Sequence, residues 1–517
     1  MASSFALLDW LTIGGYVGLL VLMGWFFSRK KSENSRDFFL GGNTMPYWVV
    51  AVSVLATSQS AATFLGGPDQ GYRGNYTYLS TNIGTILAAI FVAKVLIPKF
   101  YALKVTTVYE LLGDRFNANT MRAAGAMYLV GRVFASGSRL FLAAIAVAMI
   151  LFSNIDAQSI VIAAFLMMAL GFLITFLGGI NSVIWSDLIQ FIIYVVSAAA
   201  VLFVLWQAIP APADEVFNAL RHTPEGQNKL QLFNFAFDFS QPFTMISIVT
   251  GLTLLSIGSF GLDQDMTQRV LTCKDEKDGA RALLISAVVA IPVVWLFVSI
   301  GQLLYVFYDR PDLMGQGVAS AATGSFDGEK ITIFMSYILN ELPAGMRGLV
   351  TIGVVAAAVS TINSGLNSMS SVIVEDFYKP WRERRGAPAP DRHYVRAGQI
   401  SMGVVGIALF LMAVLSFYWQ RYTNMPLLNF ALSVMVFSYS GLLGVYFTVI
   451  FTKRGSHTSV LWALAAGFAV TLMQQDYIVD SLHLPESFKG LAFTWKLCIG
   501  TGVAFLVCLA GNDHKKT

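Results

Sequence analysis

Along this chain, apolar runs of about 20 residues, each long enough to cross roughly 30 Å of hydrocarbon, alternate with short polar connections from one end to the other. The runs fall at 8–27, 46–67, 78–98, 121–152, 159–177, 183–208, 242–268, 280–307, 332–374, 396–417, 424–451, 457–475 and 490–510. They predict an all-α integral membrane protein of about 13 transmembrane helices, read as one membrane domain over 1–517, with no room for a soluble catalytic domain. The first run begins beside Asp9 and Trp10 without a basic n-region or a small-residue cleavage site, so it reads as a retained helix and not a signal peptide.

Two runs are interrupted. AVSVLATSQSAATFLGGPDQGY, residues 51–72, starts as a membrane helix and then fills with Thr57, Ser58, Gln59, Ser60 and Thr63 before Gly66, Gly67 and Pro68. IVTGLTLLSIGSFGLDQDMTQR, residues 248–269, carries Gly251, Gly258 and Gly261 with the acids Asp263 and Asp265. A broken helix at membrane depth is tolerated only where it is buried in protein or lines a cavity. Paired breaks at corresponding places in two halves point to a transporter binding site. The two lie five spans apart, and five is odd, so two five-helix repeats must be inverted: 46–208 and 242–451, with 8–27 and 457–510 peripheral. Close helix packing by Gly, Ser and Thr is the plainer alternative for either stretch alone. In AAAVSTINSGLNSMSS, residues 356–371, Ala357, Ser360, Thr361, Ser364, Ser368 and Ser371 share one helix face. Such a hydroxyl stripe suits a hard monovalent cation, which takes oxygen ligands, although Ser and Thr also bond back to the i−4 carbonyl.

Composition agrees with the pattern: of 517 residues 56% are hydrophobic and 12% charged, against about 25% charged in soluble proteins, and mean hydropathy is +0.64. Lys and Arg concentrate in alternate loops: Arg29, Lys30, Lys31 and Arg36; Lys99, Lys104, Arg115 and Arg122; Arg269, Lys274, Lys277 and Arg281; and the run from Lys379 to Arg396. Basic loops stay in the cytoplasm, which places the N-terminus outside and the C-terminal NDHKKT inside. The net charge of +4 therefore faces anionic lipid, and nothing invokes nucleic acid. The three cysteines and five histidines show no disulfide framework and no ligand spacing, so a metalloenzyme is not expected. Small loops and the lack of a transit peptide suggest a bacterial inner membrane, and a monomer is expected.

The motifs AVSVLATSQSAATF, ITFLGGINSVIWSDLIQ (174–190), GLDQDMTQR (261–269) and AAAVSTINSGLNS, in that order, resemble the sodium/solute symporter family of sodium-coupled sugar, sialic acid and carboxylate transporters. The resemblance implies the leucine-transporter fold and alternating access. It implies a shared sodium site formed by the carbonyls of Ala56, Gln59 and Ala357 with the hydroxyls of Ser360 and Thr361. A second sodium, present in some members, would involve Asp187, Ser360 and Ser364, with Asn363 standing where those members show a serine.

For the solute, the third run, NYTYLSTNIG (75–84), offers Tyr78 and Asn82 and lacks the acid that sugar carriers use there. YLVGRVFASGSRLF (128–141) instead places Arg132 and Arg139 on nearly one face of the fourth helix. Arginine at membrane depth is costly and marks function by default, and its planar fork suits a carboxylate. Resemblance to the sialic acid carriers selects Arg132, with Ser58, Ser60, Thr63 and Asn82, as the carboxylate site; the alternative is that either arginine pairs with a buried acid. Phe260 and Gln264 at the break of the seventh run complete the expected solute contacts. Energetics bear on the sodium count. One sodium entering across about 100 mV gains roughly 2.3 kcal/mol, and a tenfold gradient adds about 1.4 kcal/mol. A monoanion carried with one sodium keeps only the second term, which favours a second ion. The expected function is sodium symport of a small organic solute, a sugar or sugar acid; a sodium- or proton-coupled carrier of a short carboxylate is the nearest rival, ahead of a channel or a sensory module.

Overall fold

The computed structural model describes residues 6–28, 34–152, 154–315, 325–326, 329–330, 332–423, 427–483, 485 and 489–511. Arg29, Lys30, Lys31, the first residues of the expected 424–451 run and the C-terminal NDHKKT lie outside them. Among the described residues, ten helices are long and apolar enough to cross a membrane. They are α1 (Leu7–Ser28), α3 (Tyr76–Leu103), α4 (Ala118–Phe152), α5 (Ala157–Phe176), α6 (Gly178–Ala208), α7 (Met245–Leu262), α8 (Glu276–Asp309), α9 (Met346–Arg384), α10 (Asp391–Thr423) and α11 (Leu427–Phe451). The broken α2 (Tyr47–Ser58 and Ala61–Arg73) and the shorter apolar helices α12 (His457–Met473) and α13 (Phe493–Leu509) stand at the other three expected runs. A hairpin pairing Ser325–Phe326 with Glu329–Lys330 is the only sheet among the described residues.

One expected run is divided. Within 332–374 the chain forms a short helix, Ile333–Asn340, and then turns through Gly345 at φ 86 before α9 begins. Asp9 of α1, itself buried, accepts hydrogen bonds from the N–H groups of Gly345 and Gly348 at 2.8 and 2.7 Å. It thereby satisfies amides at the start of α9 that have no helical partner.

Two glycine positions decide how the core closes. The turn between α5 and α6 passes through Gly179 at φ 56, where a side chain would meet the Phe38 ring and carbonyl oxygen. The second half of α2 crosses α8 with Gly71 against Gly301, close enough that a methyl group on Gly301 would sit 2.7 Å from Tyr72 N and 2.8 Å from Gly71 Cα. α9 is buried along nearly its whole first 27 residues and packs against α5 and α6, and α2 lies between these and α8.

Candidate solute and cation sites

The two interrupted runs break in the same way. After Tyr47–Ser58, Gln59 is extended (φ −88, ψ 103), Ser60 follows at φ −105, ψ 175, and the helix resumes at Ala61. In α7, wide turns at Ile248–Leu252 and Gly258–Leu262 lead to Asp263 at φ −88, ψ 114, and a helix resumes over Gln264–Val270. Extended backbone at each break, two residues in α2 and one in α7, ends the i→i−4 ladder, so the last carbonyls of each first half lose their helical donors and are free to serve a ligand.

Ala56 and Gln59 of α2 line a small cavity together with Ala357 and Ser360 of α9, with room for about one water-sized species. Gln59 Oε1 is buried and has no hydrogen-bond partner among the described residues, and an orphaned buried acceptor suits a cation. Ser360 Oγ donates to Asp187 Oδ1 at 2.6 Å, leaving its lone pairs available. Thr361 is outside this lining and donates back to Ala357 O at 3.0 Å. Four of the five residues expected to ligate sodium therefore line one cavity. Of the expected second set, Ser364 donates to Ser360 O at 2.7 Å, and Asn363, with its amide oriented by the surrounding donors and acceptors, donates to Gly171 O at 2.8 Å and Thr175 Oγ1 at 3.1 Å on α5.

Asp187 is not free to act as a lone carboxylate ligand. Besides Ser360 it accepts from Ser53 Oγ at 2.5 Å and from Arg269 Nη2 at 3.1 Å. Arg269 continues to Asp265 Oδ1 at 2.7 Å; Asp265 also pairs with Arg132, and Arg132 Nη1 reaches Asp263 Oδ2 at 2.9 Å. Tyr439 donates to Asp263 and ends the chain. All five charged groups are buried. Alternation of sign offsets their desolvation, and three carboxylates against two guanidinium groups leave the network one formal negative charge, with Asp187 its member in contact with Ser360.

This network corrects two sequence readings. Arg269 belongs to no inner loop: it is completely buried and clamps α6 to the end of the broken α7. Arg132 does not stand in the solute cavity; the two acids of GLDQDMTQR hold it. The signal lay in the sequence, since Asp265 and Arg269 are four residues apart, but their partners on α4 and α6 are set by the tertiary fold.

The larger cavity, about 150 Å³, lies beside the breaks and is lined by Ser58, Gln59, Tyr78, Asn82, Phe260 and Arg139, among others. Gln59 lines both cavities and so connects the cation pocket to this one. Arg139 Nη2 donates to Met435 Sδ at 3.1 Å, while Nη1, buried, has no partner among the described residues. Asn82 Nδ2 donates to Leu79 O at 2.8 Å. Besides Arg132, three expected contacts are elsewhere. Ser60 and Thr63 are buried in the α2 break and its second half without lining this cavity. Gln264 holds a neighbouring loop, accepting from Val108 N at 2.9 Å and donating to Thr106 O at 2.8 Å.

The chain is 27% identical over 479 residues to the sodium/sialic acid symporter NanT of Aliivibrio fischeri, covering 91% of this chain and 88% of that one. It is 26% identical to the sodium/sialic acid symporter SiaT of Proteus mirabilis, over 90% and 89% of the two chains. The human sodium/iodide cotransporter is 27% identical, over 89% of this chain and 67% of its own. A solved outward-open structure of a Na⁺-coupled sialic acid symporter superposes with a TM-score of 0.81 at 24% identity, covering 99% of this chain and 100% of that one, which shows the fold to be the expected leucine-transporter arrangement. The sequence profile of the sodium:solute symporter family matches residues 38–467. The protein is a transporter and not an enzyme, sodium is its co-transported ion, and the chain belongs to the sodium:solute symporter family.

Proposed function

We propose that the protein imports a small organic acid, a sugar acid such as sialic acid, by sodium symport with alternating access, and that Arg139 receives the carboxylate. The observation that carries this is the buried guanidinium in the 150 Å³ cavity whose Nη1 has no partner among the described residues. An unpaired buried charge is costly, and a carboxylate would satisfy it with charge-assisted hydrogen bonds. Ser58, Tyr78 and Asn82 supply hydroxyls and an amide to the rest of the solute, and Phe260 covers it at the α7 break. The relatives named above carry sialic acid or iodide, both anions.

Sodium binds at the carbonyls of Ala56, Gln59 and Ala357 with Ser360 and Thr361. The surplus negative charge of the buried network supports a cation there. Gln59 couples the two sites because its backbone serves the ion while its side chain stands between the cavities. The basic loops support an outside N-terminus and a cytoplasmic C-terminus, the likeness to two bacterial symporters supports a bacterial inner membrane, and the paired breaks support the repeats at 46–208 and 242–451. A short carboxylate is the second reading, favoured by 28% identity to the human sodium-coupled monocarboxylate transporter 2. Sodium-driven uptake of labelled sialic acid, a neutral hexose and a short monocarboxylate into proteoliposomes separates these. Uptake of the hexose alone would remove Arg139 from the site.

A further inference from the structure

A cavity of about 460 Å³ lies between the start of α4 and the last turns of α9, lined by Arg122, Ile373, Phe377, Tyr378, Trp381 and Arg384. Two arginines from different helices thus border one space whose remaining walls are apolar or aromatic. Neither has a carboxylate partner among the described residues: Arg122 donates only to Asp376 O at 3.3 Å and Asn119 Oδ1 at 3.4 Å. Two acids lie nearby: Glu375 Oε2 pairs with Lys379 at 3.2 Å, and Asp376 Oδ1 accepts from Thr107 Oγ1 at 2.6 Å, while its charge acts on Arg122 from beyond contact. The aromatic wall is held in place. Trp381 lies between Tyr378, stacked at 6.0 Å, and the Arg385 guanidinium, 4.3 Å from its ring centre; Tyr378 is fixed by His393 Nε2 at 2.8 Å.

The depth of the cavity follows from helix length. α9 runs for 39 residues, about twice what crosses the hydrocarbon, so its last turns reach the headgroup layer. Trp381, 45% exposed, is the residue type that settles there. Arg384 leads into the chain's most basic loop, with Arg385, Arg392 and Arg396 following.

We infer that this cavity binds the headgroup phosphate of an anionic phospholipid, the two guanidinium groups gripping the phosphodiester while Ile373 and Phe377 receive the glycerol and the first methylenes. Charge complementarity selects an anionic lipid over a zwitterionic one, and the apolar half of the wall selects a lipid over a free phosphate. Bound there, the lipid joins α4 to α9, the helix that carries Ser360.

The test is native mass spectrometry of the purified protein titrated with phosphatidylglycerol or phosphatidylcholine. The first phosphatidylglycerol is expected to bind the double variant Arg122→Ala/Arg384→Ala about thirtyfold more weakly than wild type, with phosphatidylcholine unchanged. Arg281→Ala, which removes an exposed arginine paired with Asp278, is expected to match wild type. Arg384→Ala alone, at an exposed position, is expected to weaken binding about fivefold and decides the matter should the double variant not fold. Equal binding by wild type and the Arg384 variant would overturn the inference. So would displacement of the lipid by millimolar inorganic phosphate but not by chloride of the same ionic strength, which would mark a free-phosphate site.

Discussion

Arg132 and Arg139 lie two turns apart on one helix, and their surroundings require opposite responses to mutation. Arg132 is held by Asp263 and Asp265, all three almost wholly inaccessible. Replacing Arg132 with Met leaves two buried carboxylates, for which the usual loss is about 3–5 kcal/mol. Asp263 keeps Tyr439 and Asp265 keeps Arg269, so the expected cost lies near the lower end, about 3 kcal/mol. Adding Asp263→Asn to Arg132→Met is expected to recover about half, because one uncompensated charge goes with it. Arg139 has a thioether contact and no acid partner among the described residues, so Arg139→Ala removes a buried charge that nothing there pairs, and is expected to stay within about 1 kcal/mol of wild type. Thermal unfolding in detergent, with solute affinity measured by calorimetry at a temperature where each variant is folded, separates the two. Arg132→Met should melt several degrees lower with solute affinity retained, and Arg139→Ala should melt normally with affinity lost. An Arg132→Met protein of normal stability that no longer binds solute would refute the division of labour.

Three further outcomes follow from the geometry. Sodium is expected to stabilise the protein where potassium does not, by about 2.7 kcal/mol at a hundredfold excess over its dissociation constant, and Ser360→Ala to remove most of that gain; a stabilisation equal in the two salts would contradict the cation pocket. Gly301→Ala is expected to cost about 1–3 kcal/mol by driving α8 off α2, seen as a lowered melting temperature, and an unchanged melting point would deny the close crossing. Lys229, in the loop before α7, donates to Tyr72 O at 2.6 Å and Gly74 O at 3.1 Å, and burial lowers its pKa from 10.5 to about 8. Because the unfolded chain holds this proton more tightly between those values, stability should rise from about pH 8 to pH 10.5, and Lys229→Met should flatten that slope in pH-dependent melting.

The membrane spans and both helix breaks were legible because each rests on local chemistry. Twenty apolar residues make a span whatever surrounds them, and the polar run at Thr57–Ser60 and the glycines before Asp263 weaken the helix in place. The buried hydroxyl stripe that includes Ser360 was legible from helical periodicity. The partners of Arg132 were not. Helical spacing places Arg132 and Arg139 on nearly one face, but the packing of α4 against the break of α7 decides which one meets an acid, and that packing is a property of the assembled bundle. Arg269 was misplaced for a related reason. Positive charge near a span end is usually in water, but here the resumed helix Gln264–Val270 carries the arginine back under α6 to Asp187.

The most direct measurement is the initial rate of sodium-driven sialic acid uptake into proteoliposomes by wild type, Arg139→Ala and Arg139→Lys. Uptake that depends on sodium in wild type, vanishes in Arg139→Ala and partly returns in Arg139→Lys is the predicted result. Sodium-driven uptake of the acid that is undiminished in Arg139→Ala would contradict the carboxylate site.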